Sequence, residues 1–179
     1  MRVFIGIELD VDVKEYLYKV QNFIKPSMIS GDLTNFNNYH LTTIYIGHVD
    51  DEEIDIIKDC MFLACDQLAP FDMKLNGIHS FNKGRHSILW VGVESGKEHL
   101  NKLYKAIVQE LMVEGFELDY SRKYRPHITI GKKMVMGPQS TTEVFPYFYD
   151  SIKVKTLTLF HSHRVKDVLT YTPIYRIDL

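Results

Sequence analysis

The feature that most constrains this chain is a short pattern that occurs twice. Tyr39-His40-Leu41-Thr42-Thr43-Ile44-Tyr45-Ile46-Gly47 and Arg125-Pro126-His127-Ile128-Thr129-Ile130-Gly131 each run His-x-Thr into an apolar segment that stops at glycine. Extended backbone sends alternate side chains to opposite faces, so His40 shares a face with Thr42 and His127 shares one with Thr129. Leu41 and Ile128 then face the other way, where aliphatic and β-branched residues can be buried. By the same count Thr43 and Tyr45 fall opposite His40, and core or edge packing is expected of them.

The pattern sits inside a larger repeat. Phe4-Ile5-Gly6-Ile7-Glu8, a helix containing Lys14-Glu15-Tyr16-Leu17, and His40-x-Thr42 are echoed by Trp90-Val91-Gly92-Val93-Glu94, Lys97-Glu98-His99-Leu100, and His127-x-Thr129. A strand, helix, strand unit is thus used twice, over about 1–49 and 87–134. Two copies, unlike the many of a solenoid, can close on each other about a pseudo-twofold axis. That closure would bring the two His-x-Thr strands together across one cleft.

Periodicity places the remaining elements. Val3, Ile5, Ile7 and Leu9 alternate as a strand. Val13, Tyr16, Leu17, Val20 and Ile24 recur at helical spacing, with Asp12 and Glu15 as the expected cap pair and Pro26 as the stop. Residues 27–38 read as a loop. Asp50 and Glu53 repeat the capping pattern ahead of an apolar stripe of Ile54, Ile57, Met61, Ala64 and Leu68, which Pro70 ends. Phe71, Met73 and Leu75 alternate, Gly77 marks a turn or bulge, and Asn82-Lys83-Gly84 is the expected hairpin turn into a strand at Ser87–Val93. Ser95 and Glu98 open a third helix through Leu100, Leu103, Ile107 and Leu111, ending before Gly115. Pro138 and Pro146 interrupt the segment after the second motif. Val154–His161 and Tyr171–Ile177 read as strands, the latter confined to an edge or an end by Pro173.

A chain of 179 residues with 45% hydrophobic and 25% charged content is expected to form a single bilobal domain over 1–179. Its net charge of −2 argues against salt-driven binding of duplex DNA. Local cations remain, as Arg122-Lys123-Arg125 with Lys132-Lys133, and as Lys153-Lys155 with Arg164-Lys166. Cys60 and Cys65 suit neither a zinc knuckle nor a redox pair, and two cysteines in all fit a reducing compartment. The opening Met1–Glu8 reads as a strand rather than a signal peptide, and no apolar run approaches a membrane span. A cytoplasmic monomer without membrane contact is expected.

Two imidazoles near their ordinary pKa can serve as one acid and one base at neutral pH, the pairing that phosphodiester cleavage needs. Threonine hydroxyls can hold the phosphoryl oxygens, with Arg125, Lys132 or backbone N–H groups adding positive potential. No metal or other cofactor is required, and neither His-Glu-x-x-His nor an acidic ligand cluster is present. His161-x-His163 lacks a third ligand. His48, His79, His86 and His99 carry no signal.

Together the paired motifs, the opening Arg2–Leu9, Leu89-Trp90-Val91-Gly92, and the tail Leu157-Thr158-Leu159-Phe160 with Tyr171-Thr172-Pro173 resemble the two-histidine (2H) phosphoesterases. The resemblance is to the LigT-like RNA 2′,3′-cyclic phosphodiesterases, also called 2′-5′ RNA ligases. It implies an α+β, bilobal fold: two pseudo-twofold-related, antiparallel-rich sheets with helices packed outside and a central cleft. It also implies hydrolysis of an RNA 2′,3′-cyclic phosphate end to a 2′-phosphate, with reverse 2′-5′ ligation as a side reaction. Carried over by motif, His40 is the proton donor, His127 the proton acceptor, and Thr42 and Thr129 the phosphate holders. Lys132 stands where relatives often carry arginine, and its use requires a bulge or strand end at Gly131. Thr43 replaces a usual aliphatic residue. Phe4 and Phe160 are candidates to stack a base. Alternatives are a 2′,5′-phosphodiesterase, an ADP-ribose cyclic phosphodiesterase, and a non-catalytic binder of RNA ends.

Overall fold

The structure is a computed structural model that describes residues 1–66, 68–118, 123–138 and 149–179. Arg122 and Pro146 lie outside the described residues. In chain order the elements are β1 (Arg2–Glu8), α1 (Val11–Ile24), β2 (Met28–Leu33), β3 (His40–His48), α2 (Asp51–Cys65), β4 (Phe71–Lys83), β5 (His86–Ser95), α3 (Lys97–Val113), β6 (His127–Met136), β7 (Tyr149–Val154), β8 (Thr156–Val165) and β9 (Val168–Asp178). They build two antiparallel sheets, ordered β3-β1-β8-β9 and β2-β6-β5-β4-β7. Both repeat the same succession: the motif strand, then the first strand of its repeat, then two hairpin or crossover strands. β2 is added outside β6.

The apolar stripes account for the packing. Val13, Leu17, Val20 and Ile24 of α1, Ile54, Ile57 and Met61 of α2, and Leu100, Leu103, Ile107 and Leu111 of α3 are all buried in one contiguous core. Leu41 and Ile128 are fully buried in it, on the faces of β3 and β6 turned away from the histidines. Gly6 and Gly92, the glycines at equivalent places in the repeat, are required by close approach. A Cβ on Gly6 would lie 2.6 Å from the Leu41 carbonyl oxygen, and one on Gly92 would lie 2.7 Å from that of Asn76.

Several local expectations are corrected. Residues 28–33, expected to be loop, form edge strand β2, irregularly paired with β6. Its bulges and Gly31 hide the strand period. Asp10, and not Asp12, caps α1, without a side-chain bond. In α2 the expected capping box is present, Glu53 N donating to Asp50 Oδ1 at 2.9 Å and Asp50 N to Glu53 Oε2 at 2.8 Å, but the helix ends at Cys65, before Leu68. Gly96, at φ 87°, takes the N-cap place of α3 expected for Ser95. Gly77, at φ 76°, is a bulge within one long β4, and the hairpin turn falls at Gly84-Arg85. The stretch expected as one strand from Val154 splits at Lys155: β7 belongs to one sheet and β8 to the other. Pro173 does lie in edge strand β9. Among the described residues no helix is long and apolar enough to cross a membrane.

Candidate active site

The two motifs hold their histidines in the same way. His40 Nδ1 lies 2.7 Å from the carbonyl oxygen of Asn38, and His127 Nδ1 lies 2.7 Å from that of Arg125, in each case two residues upstream. A carbonyl only accepts, so Nδ1 carries the proton in both rings and Nε2 presents the lone pair. On His40 that lone pair takes the Thr42 hydroxyl proton, at 2.9 Å. Nε2 of His127 has no bond among the described residues.

Each ring rests on aromatic side chains. Around His40 stand Phe4 at 4.7 Å, Tyr171 at 5.0 Å and Phe160 at 5.9 Å between ring centroids. Around His127 stand Phe81 at 5.2 Å and Trp90 at 5.6 Å. Phe4 and Trp90, equivalent in the repeat, thus do the same job in both halves. Phe4 and Phe160 were expected to stack a base, but they are only 4% and 5% exposed and stack on each other at 4.8 Å beneath His40. Most of their surface supports the imidazole, and Phe4 also borders the cleft.

Strand parity breaks at one equivalent place in each motif. Gly6 pairs with Thr42 and Ile5 with Ile44, so Thr43 is an extra residue in β3; Trp90 pairs with Thr129 and Leu89 with Gly131, so Ile130 is an extra residue in β6. An extra residue exchanges the two faces beyond it. Lys132 therefore lines the same cleft as Thr129, through a break at Ile130 and not at Gly131, which stays paired with Leu89. The same shift corrects the reading of Tyr45, which lines the cleft and is 48% exposed. Thr43 is buried as expected.

The cleft has a volume of about 730 Å³ and is bounded by His40, Thr42, Thr129, Lys132, Tyr45 and Tyr171, with Arg2 and Arg164 toward its mouth. His127 is not among the bounding residues, its ring being held by Phe81 and Trp90. Arg125 does not bound the cleft either: its guanidinium lies 5.6 Å from the Phe81 ring centre, so it serves through its carbonyl and its charge. Of the two basic clusters, Lys132, Lys133 and Arg164 reach this space, whereas Lys153 belongs to β7 in the far part of the second sheet.

The imidazoles do not keep their ordinary basicity, contrary to expectation. Burial, chiefly, pushes His40 down to about 4; the Asn38 bond opposes this, while the charges of Lys132, His127 and Lys14 add to it. His127 is lowered by burial, against the Arg125 bond, with the charges of Arg125 and Lys132 contributing. Lys132 is felt by both rings and is itself lowered by burial, Arg2 and Lys83. Both histidines are therefore neutral in the free protein at pH 7, and a bound anion would favour their protonation.

Two supports escaped sequence reasoning. The buried Gln21 of α1 donates through Nε2 to the carbonyls of Thr34, at 2.8 Å, and Ile130, at 2.7 Å, clamping the β6 bulge. Its signal was a polar residue four after Leu17 and three before Ile24, inside an apolar stripe. Asn38 donates to the Leu169 carbonyl at 2.7 Å and accepts from Tyr171 N at 3.3 Å, tying the His40 loop to β9. His161 and His163 stack at 4.4 Å, with His163 bonded to Thr172, and among the described residues no group of three or more potential ligands could hold a metal.

The sequence model of the 2′-5′ RNA ligase superfamily matches residues 32–166. A Methanocaldococcus jannaschii protein named RNA 2′,3′-cyclic phosphodiesterase is 27% identical over 179 residues, covering 99% of this chain and 98% of its own. Among solved structures, TT0787 of Thermus thermophilus superposes with a TM-score of 0.85 at 21% identity, covering 100% of this chain and 98% of that one. Escherichia coli LigT complexed with 3′-AMP gives 0.80 at 22% identity, covering 99% and 97%. With the family pattern spanning both motif strands and the fold reproduced end to end, this chain belongs to the 2′-5′ RNA ligase superfamily.

Proposed function

We propose that the protein hydrolyses a 2′,3′-cyclic phosphate at the end of RNA to a 2′-phosphate, using His40 and His127 as acid and base. The observation that carries this reading is the matched anchoring of two imidazoles. Each is locked by its Nδ1–H onto a carbonyl two residues upstream, and both are within the influence of Lys132. The full-length relative from M. jannaschii bears the name of this activity.

His127 Nε2, with a free lone pair, accepts a proton from water as its oxygen forms a bond to phosphorus. The P–O3′ bond breaks, and the 3′ oxygen takes a proton from His40 Nε2–H. One water is consumed, and the second phosphate oxygen remains on the 2′ carbon. Thr42 and Thr129 donate to non-bridging oxygens, and Lys132 offsets their growing charge. His40 begins neutral, so the proton it donates is taken up with the anionic substrate, whose charge opposes the effect of burial. The scheme asks the acid–base pair for roughly 10²–10⁴-fold of the rate.

The test is to incubate the protein with the four nucleoside 2′,3′-cyclic phosphates and determine which phosphomonoester forms. A 2′-phosphate is expected, with His40→Ala and His127→Ala each lowering kcat/KM by at least about 10²-fold. A 3′-phosphate product would exchange the roles of the two histidines, and undiminished turnover in either variant would reject the pair.

A further inference from the structure

Beyond the catalytic end, the cleft carries a second cationic position that hydrolysis of a cyclic phosphate does not use. Arg2, Phe4, Gly6 and Glu8 alternate onto one face of β1, and Gly6 lies opposite Thr42 while Phe4 lies opposite Tyr45. Arg2 therefore starts four residues, roughly 14 Å of strand, from the row that holds the Thr42 hydroxyl. Its side chain reaches Tyr45, which pairs with Phe4 two residues nearer that row. Arg2 Nε donates to the Tyr45 hydroxyl, and the guanidinium carbon lies 5.2 Å from the Tyr45 ring centre.

Tyr45 thus fixes the guanidinium while occupying only Nε. Among the described residues both Nη groups lack a partner, and no acid pairs with Arg2 or with Lys132. Lys83, at the tip of the β4–β5 hairpin, adds charge to the same region, since it and Arg2 both depress Lys132. Asp32 also lines the cleft but pairs with Lys133, so none of these three cations is in an ion pair with a described carboxylate, and together they offer a site for an anion. The repeat explains how it arose: Tyr45 and Lys132 each stand three residues after their motif threonine, beyond the extra residue. One lobe presents a cation directly, and the other presents an aromatic ring that carries one.

We infer that Arg2, held by Tyr45, binds the phosphate on the 5′ oxygen of the terminal nucleotide, so that the cleft is built for an oligonucleotide end rather than a mononucleotide. This rests on the proposed phosphodiesterase reading for the placement of the terminal phosphate between the motif threonines. Arg2 then positions the chain by its preceding linkage and takes no part in the chemistry at phosphorus.

The experiment compares binding and turnover in wild-type protein, Arg2→Ala and Arg2→Lys. For binding, the probes are adenosine 2′-monophosphate and adenosine 2′,5′-bisphosphate; for turnover, adenosine 2′,3′-cyclic phosphate and the dinucleotide ApA ending in the same cyclic group. The wild type should prefer the second member of each pair by about tenfold or more at low salt. Arg2→Ala should bring that preference near unity and flatten its salt dependence, and Arg2→Lys should restore part of it. Equal affinity for the two adenosine phosphates, or a preference that survives Arg2→Ala, would overturn the inference. Failure of the phosphodiesterase reading shows separately, as absence of turnover of either cyclic substrate, while the binding ratio still reports on Arg2.

Discussion

Replacing His40 by Asn should make the fold less sensitive to acid, and the structure sets the size of the effect. An Asn amide can still donate to the Asn38 carbonyl, but it does not titrate. His40 has an ordinary value of 6.5 and is held down to about 4 in the folded chain, mainly by burial. The unfolded chain therefore binds a proton that the folded chain refuses. This favours unfolding as pH falls from 6.5 toward 4 and has no effect above that window. At pH 4.5 those two values correspond to about 2.5 kcal/mol, and the partial exposure of the ring trims this to about 2 kcal/mol. For a chain of this size that is a melting shift of about 4–8 °C. The assay is thermal unfolding of wild type and His40→Asn at pH 7.5 and pH 4.5, read as the difference between the two drops in Tm. Any pH-independent cost of the substitution cancels, as does the contribution of His127 and the carboxylates. The wild type should lose about 4–8 °C more than the variant. Equal losses would mean that folded His40 protonates as easily as an exposed histidine, and the desolvated, anchored imidazole would be refuted.

Gln21→Leu removes the only described partner of the Thr34 carbonyl and one of two for Ile130, whose carbonyl also receives Thr34 N. It should cost about 1–3 kcal/mol of stability by denaturant titration. It should also lower kcat/KM at a temperature where the variant is fully folded, because the β6 bulge that aims Lys132 is loosened; unchanged kinetics would free the bulge from Gln21. Lys132→Met removes a charge that depresses both histidines. The acid limb of the kcat/KM profile should move to higher pH while the maximum falls, and Lys132→Arg should recover much of the rate; an unmoved limb would exclude Lys132 from the site.

What could be read from the sequence was whatever depends on unbroken period. The three apolar helical stripes, the Asp50–Glu53 box, and the burial of Leu41 and Ile128 behind the motifs follow from spacing alone. The sheet order echoes the repeat for the same reason, since two similar strand, helix, strand units pair internally in the same way. β2 was not legible because two irregularities in six residues erase its alternation. Asp12 and Glu15 have the composition of a cap pair, whereas helix α1 starts where the backbone turns, one residue after Asp10. The aromatic support of His40 was not legible because a sequence assigns a ring to a face without saying how deeply that face is buried.

The sharpest misreading and the strongest support for the site have one physical source. A single extra residue after each motif threonine, Thr43 in β3 and Ile130 in β6, turns the chain over before its next cleft-facing side chain. Without it Lys132 would enter the core, where an unpaired ammonium is costly to bury, and Tyr45 would follow it on the other strand. With it, Lys132 joins the motif threonines along one cleft and Tyr45 brings Arg2 to the same space. A lysine three residues past a motif threonine, at a position where strict alternation demands an apolar side chain, is therefore itself the sequence signal of the bulge. The charge cannot be where unbroken parity puts it, so the parity must break, and in both halves it breaks at the residue that follows the threonine.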